Sequence, residues 1–525
     1  MKADPIELEL FRHLLVSIAE EMGAVLRKTS YSANIKERRD YSCAVYDAAG
    51  ETVAMGDHMP VHLGAMPLSV RAVMDDFRLA PGDVAIVNDP FRGGTHLPDI
   101  TAVSAVFSAG ERRPAFYVAN RAHHADIGGM SPGSMPMARE IYQEGLRIPP
   151  VLLVRGGRMD DALLRLLLAN VRTPEEREGD LAAQMMAIRR GGDRLQELAR
   201  KYGLAVVRRN MRALQDYSER MMRAAIGRIK DGRYTFHDFL DSDGVSARPV
   251  KIAATITIAG NTAAVDFTGS DPQAAGPVNA NYAVALSATM YVFRCLLQED
   301  VPYTAGLLRP IRVIAPSGTV VNAQLPAAMA AGNVETSQRI TDVVLGALAK
   351  AAPGRIPAAS SGTMNNLTFG GWDNVRGRPF VYYETIAGGM GASALGNGAS
   401  AVHTHMTNTW NTPIEALEHQ YPVRLRAYRI RGGSGGRGWH RGGDGIVREY
   451  EFLTGAEVTI LSDRRERGPY GLAGGGVGKP GCNRLFRAGG ALAIPAKTQF
   501  EARAGDVLRI ETPGGGGYGR SDMMK

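Results

Sequence analysis

Between Asn88 and Gly129 the chain reads NDPFRGGTHLPDITAV, continues through a strand-like run, and ends in NRAHHADIGG. No other stretch limits the possible folds as tightly. Two polar clusters, His96-x-x-Asp99 and His123-His124-x-Asp126, flank a span that can cross a sheet and return. His and Asp together form the ligand set of a catalytic divalent metal. Five of the chain's 11 His residues (His58, His62, His96, His123 and His124) fall between positions 58 and 124. A site in the N-terminal part is therefore expected.

Pro98 inside His96-Leu-Pro-Asp99 rules against a helical presentation, so a loop must supply these side chains. Along extended backbone, His123 and His124 point to opposite sides. One of them is expected as a metal ligand and the other against substrate or a carboxylate. Two further carboxylates qualify. Asp40 stands beside the basic residues of KERRDYS at a strand start. Asp89 directly follows the apolar strand GDVAIV, where an ionised group needs a partner or a metal. The competing reading is that these polar groups merely satisfy loop backbone. In DHMPVH, Pro60 separates His58 from His62, and no Glu follows the first His as a zinc protease requires. A pocket or supporting role fits this pair better than direct ligation.

At 525 residues, two to four domains are expected. With 45% hydrophobic and 22% charged residues the chain has an ordinary globular composition. It shows no apolar run of membrane-spanning length and no basic-then-apolar leader. Its three Cys are far apart and unpaired in sequence, which fits a reducing cytoplasm and no thiolate zinc site. The net charge of +8 is scattered and lacks interleaved aromatics, so no nucleic-acid partner is expected.

Hydrophobic period and turn residues predict an α+β, multidomain chain. Residues 1–158 are expected to form a mixed α/β domain carrying the metal site, opened by an amphipathic helix over 4–28. A helical segment follows over 159–231, with a break at Gly191-Gly192. An α+β domain is expected over 232–422, and a β-rich domain with Gly-rich loops over 423–525. The 62 Gly residues concentrate in such loops. Gly474–Lys479 lacks the Ser/Thr and the leading Gly of a phosphate loop. Turns and close backbone packing account for it, and for the RGGSGGRGWH and PGGGGYG strings. The GNVETSQR string reads as a helix entrance that either caps itself or holds an anion.

Taken together, ERRDYSCAVYDAAG, GDVAIVNDPFRGGTHLPDIT, RAHHADIGGMSPGS, EGLRIPP, GPVNANYA, AGNVETSQRITD and RIRGGSGGRGWHRGGDG resemble the hydantoinase B family over nearly the whole chain. The resemblance implies a metal-dependent B subunit of an ATP-dependent cyclic-amide hydrolase. Its substrate would be of hydantoin, lactam or 5-oxoproline type, phosphorylated by a partner subunit resembling hydantoinase A. ATP would be bound by that partner. The implied ligands are Asp40, His96, Asp99 and His123, with Asp89 as an alternative to Asp40; His124 and Asp126 are expected as catalytic groups. Such a ligand set admits zinc, manganese or iron. Two other readings stay open: a subunit of an ATP-dependent ketone carboxylase, and a non-catalytic scaffold.

Overall fold

The computed structural model describes residues 4–56 and 58–520; Asp57 of the DHMPVH string lies outside the described residues. The helices are α1 (Pro5–Thr29), α2 (Ala33–Lys36), α3 (Ala65–Asp76), α4 (Asp161–Leu168), α5 (Pro174–Tyr202), α6 (Leu204–Ile226), α7 (Tyr282–Arg294), α8 (Ser337–Ala351) and α9 (Ile414–Gln420). Asp4 caps α1 by accepting from the Ile6 amide, and Pro5 takes the first helical position. Glu7 does not close a capping box. It accepts instead from Arg209 and Asn210 of α6.

The first sheet contains β1 (Tyr41–Asp47), β2 (Thr52–Met55), β3 (Val84–Val87), β4 (Asp99–Val106), β5 (Phe116–His123), β6 (Val151–Arg155) and β7 (Arg158–Met159). Their spatial order is β2-β1-β5-β4-β3-β6-β7, and every pairing is antiparallel. Both faces are covered. Cys43, Val45, Ile100, Ala102, Val118 and Ala122 pack with the apolar face of α1 and with α5 and α6. Ala44, Tyr46, Val103, Ala105 and Ala119 face a second core shared with α3, α7 and α8. This double cover explains why every residue of β4 and β5 is buried, with no alternation between a core face and a solvent face. On α1, Phe11, Leu15, Ile18, Met22 and Leu26 form the buried stripe, each at most 2% exposed. Each such side chain contributes roughly 1.5–3 kcal/mol of transfer free energy.

The expected break at Gly191-Gly192 does not occur; α5 runs unbroken from Pro174 to Tyr202. Gly191 marks its close approach to α1, since a Cβ there would lie 2.4 Å from Met22 Sδ.

The second sheet holds β8 (Gly232–Leu240), β9 (Val250–Ala259), β10 (Thr262–Asp266) and β11 (Ile311–Ile314) in the order β11-β10-β9-β8. The remaining strands are β12 (Asn366–Asp373), β13 (Arg378–Glu384), β14 (Val423–Arg431), β15 (Gly445–Phe452), β16 (Ala456–Leu461), β17 (Cys482–Arg487), β18 (Gly490–Ile494), β19 (Lys497–Ala502) and β20 (Val507–Glu511). They divide into two sheets, β13-β12-β16-β19 and β14-β15-β20-β17-β18, which share a third core. A line drawn at 422/423 cuts the first of these sheets, because β12 pairs with β16 from Asn366↔Leu461 to Gly371↔Ala456.

The Gly-rich strings pack backbone against backbone. Gly515 donates to the Gly443 carbonyl and Gly517 to the Gly476 carbonyl. The amides of Gly475, Gly476, Gly478 and Lys479 all donate to carbonyls of the protein. A phosphate would find those four donors already engaged.

Candidate metal centre

The site grows from three neighbouring strands. Asp99 of β4 lies directly across from His123 of β5. The His123 amide donates to the carbonyl of Asp40, the residue that precedes β1. The order β1-β5-β4 thus sets Asp40, His123 and Asp99 side by side at the end of one sheet face. The next row on that face is also polar. Arg121 Nε donates to Thr101 Oγ1 (2.7 Å), and Ser42 Oγ lies 2.8 Å from His62 Nδ1.

His96 arrives from the loop before β4. Asn88 anchors that loop by donating to the carbonyls of Leu97 and Leu146 and accepting from the Ile148 amide. Asn281, the cap of α7, donates to the carbonyls of Pro90 and Gly94. The NDP and GPVNANYA strings thus act as scaffolding for His96.

Asp99 Oδ1 lies 3.2 Å from His96 Nε2 and 3.3 Å from His123 Nδ1. The two imidazole nitrogens are 3.2 Å apart. A tetrahedral ion with ligand bonds of about 2.0–2.1 Å has ligand–ligand edges of about 3.3 Å. The three donors therefore form one face of such a polyhedron. Asp99 Oδ1 is buried and accepts no hydrogen bond, the condition of an oxygen whose lone pairs are reserved for a cation. Asp40 Oδ2 stands 4.0 Å from His123 Nδ1. His62 Nε2 reaches to 3.4 Å from Asp99 Oδ2, which also accepts from Thr95. A cavity of about 10 Å³, room for a single water or ion, is lined by Asp40, His62, Asp99, His123, Asn333 and Tyr383, among others.

The electrostatics suit ligation. Burial pushes the His123 and His62 imidazoles down, toward the neutral form that offers a lone pair. Burial also pushes against ionisation of Asp99, but the surrounding His96, His123 and His62 overcome it and hold its carboxyl well below the usual range. Asp40 is raised by burial, with His123 and Arg38 pulling the other way.

The other expected residues have different partners. His124 points to the opposite face, where its Nε2 lies 3.0 Å from Gln184 Oε1 of α5. Asp126 accepts from Arg172 Nη1 at 2.9 Å and from the Arg172 amide at 2.7 Å. Asp89 accepts from the Phe91 amide and faces Arg147 at 3.4 Å. His58 packs on Tyr41 and accepts from the Cys43 amide.

Several neighbours carry no local signal in the sequence. Tyr383 stacks on His123 with ring centroids 4.4 Å apart and planes 10° off parallel. Its hydroxyl donates to Asn366, which donates to Glu335. Glu335 lies in a π-helical turn, Gly332–Thr336, that leads into α8. Burial and nearby Asp463 push its carboxyl up to about 8. Arg38, fully buried, donates to the Tyr383 carbonyl and to Thr385 Oγ1. The GNVETSQR string thus contributes Asn333 and Val334 to the wall of the cavity, while its Glu335 accepts from the Met364 amide and from Asn366.

Fold and site together define an α+β chain built around a candidate metal centre at one end of a doubly covered antiparallel sheet. The chain belongs to the hydantoinase B/oxoprolinase family, whose profile matches residues 4–521. It is 40% identical to 5-oxoprolinase 1 of Arabidopsis thaliana over 98% of its own length and 42% of that protein's. Against a Pseudomonas protein named for the B component of a D-/L-hydantoinase, identity is 32% over 99% of this chain and 90% of the relative. The solved structure of the ATP-dependent caprolactamase from Pseudomonas jessenii superposes with a TM-score of 0.92 at 31% identity, covering 99% of this chain and 92% of that one. Among the described residues, no helix is long and apolar enough to cross a membrane.

Proposed function

We propose that this chain is the metal-site subunit of an ATP-dependent cyclic-amide hydrolase. The substrate would be a hydantoin, a lactam or a 5-oxoproline-like ring, phosphorylated on its carbonyl oxygen by a partner chain resembling hydantoinase A. One observation carries the reading: Asp99, His96 and His123 converge at tetrahedral spacing with Asp40 beside them. The names of the 5-oxoprolinase, hydantoinase and caprolactamase relatives support the substrate class. The amides of Gly475, Gly476, Gly478 and Lys479 are engaged with backbone carbonyls, so this reading places no phosphate on that loop. Three free cysteines fit a cytoplasmic enzyme.

An unactivated amide resists hydrolysis because resonance stabilises its carbonyl and its leaving group is poor. Phosphorylation turns the carbonyl oxygen into a leaving group. A divalent ion held by Asp40, His96, Asp99 and His123 would supply Lewis acidity and lower the pKa of a water. The chain's own residues do the rest. His62 and Thr95 fix the second oxygen of Asp99, and Tyr383 fixes the plane of His123. Met59, Val61, Val334 and Met364 line the cavity and exclude bulk water. In this reading His124 and Asp126 position the strand end through Gln184 and Arg172.

The test is co-purification with the ATP-using partner, followed by ATP-dependent turnover of hydantoins, lactams and 5-oxoproline. His96→Ala and His123→Ala should abolish turnover while the complex still assembles. Turnover of ketones alone, dependent on bicarbonate, would replace the hydrolase with a carboxylase. Full activity in both variants would leave a scaffold.

A further inference from the structure

We propose that a second, outer site, selective for the phosphoryl group of a small phosphorylated molecule, lies in a groove between the end of α1, α2 and the segment 410–413. Arg27, Lys28, Lys36, Glu37, Arg39 and Trp410 line it, and its volume of about 390 Å³ is in the small-molecule range. This inference rests on the proposed function, which requires a phosphorylated substrate to reach the metal cavity from another chain.

Three observations carry it. The first is charge. None of the four cations has a carboxylate within 4 Å among the described residues, although Glu37 shares the groove. Other surface arginines do find a carboxylate, as Arg190 does in Glu21 and Arg426 in Glu451. Four cations without a carboxylate partner, one of them stacked on Trp410, against a single carboxylate suit a group carrying about −1.5 to −2 charges. A polyanionic chain would call for an extended basic stripe, whereas this groove has the size of one small molecule.

The second is conformation. Arg39 is held at φ 57°, in the left-handed region, with its guanidinium 3.5 Å from the Trp410 ring centroid. Such backbone persists in a non-glycine residue only where its surroundings impose it, and it clusters at binding sites. The result is a fan of consecutive side chains. Arg38 turns inward over Tyr383, Arg39 outward onto Trp410, and Asp40 into the metal cavity.

The third is continuity. The Trp410 amide donates to the Arg38 carbonyl at 3.0 Å. Thr407 lines the metal cavity and Trp410 the groove, a separation of about 10 Å at roughly 3.3 Å per extended residue. The segments 38–40 and 407–410 each touch both spaces. A phosphoryl group held by the cations, with its organic part against Trp410, would sit at the threshold of the centre.

Inorganic phosphate and phenyl phosphate, titrated into the full chain by calorimetry at low ionic strength, test the site. Both should bind, the ester several-fold tighter, and the gain of the ester should vanish in Trp410→Ala. The double variant Lys28→Glu/Lys36→Glu changes two exposed side chains and should weaken both ligands about tenfold or more. His96→Ala should change neither. The proposal is overturned if neither compound binds, if the double variant binds like the parent, or if His96→Ala instead removes binding. An ester no tighter than inorganic phosphate would also overturn it, by assigning the groove to the free ion. No turnover enters this measurement, so the groove and the hydrolase reading can fail separately.

Discussion

Asp99 is the residue on which the centre turns. Its two oxygens are divided: Oδ1 faces His96 and His123, while Oδ2 is held by Thr95 and His62. Removing a residue that merely supports a ligand typically costs 10–100-fold in metal affinity, roughly. His62→Ala should fall in that range, and Asp99→Asn well beyond it, in titrations of the metal-free chain with zinc or manganese. Equal losses in the two variants would mean that His62 is itself a ligand. Glu144 shows a second residue-scale effect. Burial pushes its carboxyl up to about 8, against two amide donors, Ala330 and Met329, that pull it down. Between about 4.5 and 8, the unfolded chain has lost this proton and the folded chain keeps it. The contribution is complete below the unfolded pKa and is lost as pH rises through the folded one. Glu144→Gln keeps the acceptor for both amides and removes the titration. Its stability relative to the parent should therefore rise steadily between about pH 4.5 and about pH 8 and level off above that in denaturant melts. A pH-independent difference would rule out the buried proton.

Whole elements answer to packing that sequence spacing cannot encode, and Gly191 and Gly192 separate the two influences. A Cβ on Gly191 would meet Met22 Sδ at 2.4 Å, whereas on Gly192 it would meet only Val106 Cγ2 at 3.7 Å. Gly191→Val should destabilise by about 1–3 kcal/mol through overpacking. Gly192→Ala should stabilise by up to about 1 kcal/mol through helix propensity. Thermal melts of the two variants moving in the same direction would contradict this account. The same division governs what can be read from the sequence. The stripe of α1, the strands β3 to β5 and the opposite facing of His123 and His124 follow from local period. Among the ligand candidates, His96, Asp99 and His123 are visible because their residue types recur at strand ends close together in the chain. Tyr383 and Asn333 carry no such mark, because only long-range packing brings them to the cavity. β12, for instance, pairs with β16 across a gap of more than eighty positions. No local period marks that registration, and so the boundary at 422/423 falls inside a sheet.

On the scale of the molecule, a buried ionic cluster fastens the sheets that wall the site. Asp463, beyond β16, accepts from Arg339 of α8 at 2.9 Å and from Lys497 of β19 at 2.7 Å, with all three side chains fully buried. It also accepts from the Asp241 amide beyond β8. One carboxylate thus ties the second sheet, the helix that follows Glu335, and the sheet that carries Tyr383. Its worth lies in what its removal would strand. Asp463→Ala would leave Lys497 without its ion-pair partner and Arg339 with only Asp238 and Asp342. Breaking such a buried pair costs roughly 3–5 kcal/mol, whereas an exposed pair contributes roughly 0–1 kcal/mol. Arg190→Ala, which removes the half-exposed partner of Glu21 at 2.7 Å, is therefore the matched control. Asp463→Ala should lower the denaturation midpoint strongly and Arg190→Ala hardly at all. If the cluster fastens the cavity walls, Asp463→Ala should also weaken metal uptake, although Asp463 does not line the cavity. Metal affinity matching the parent's in a strongly destabilised Asp463→Ala chain would separate fold stability from site geometry. It would leave the row Asp40–His123–Asp99, with His96, as the sole determinant of the centre.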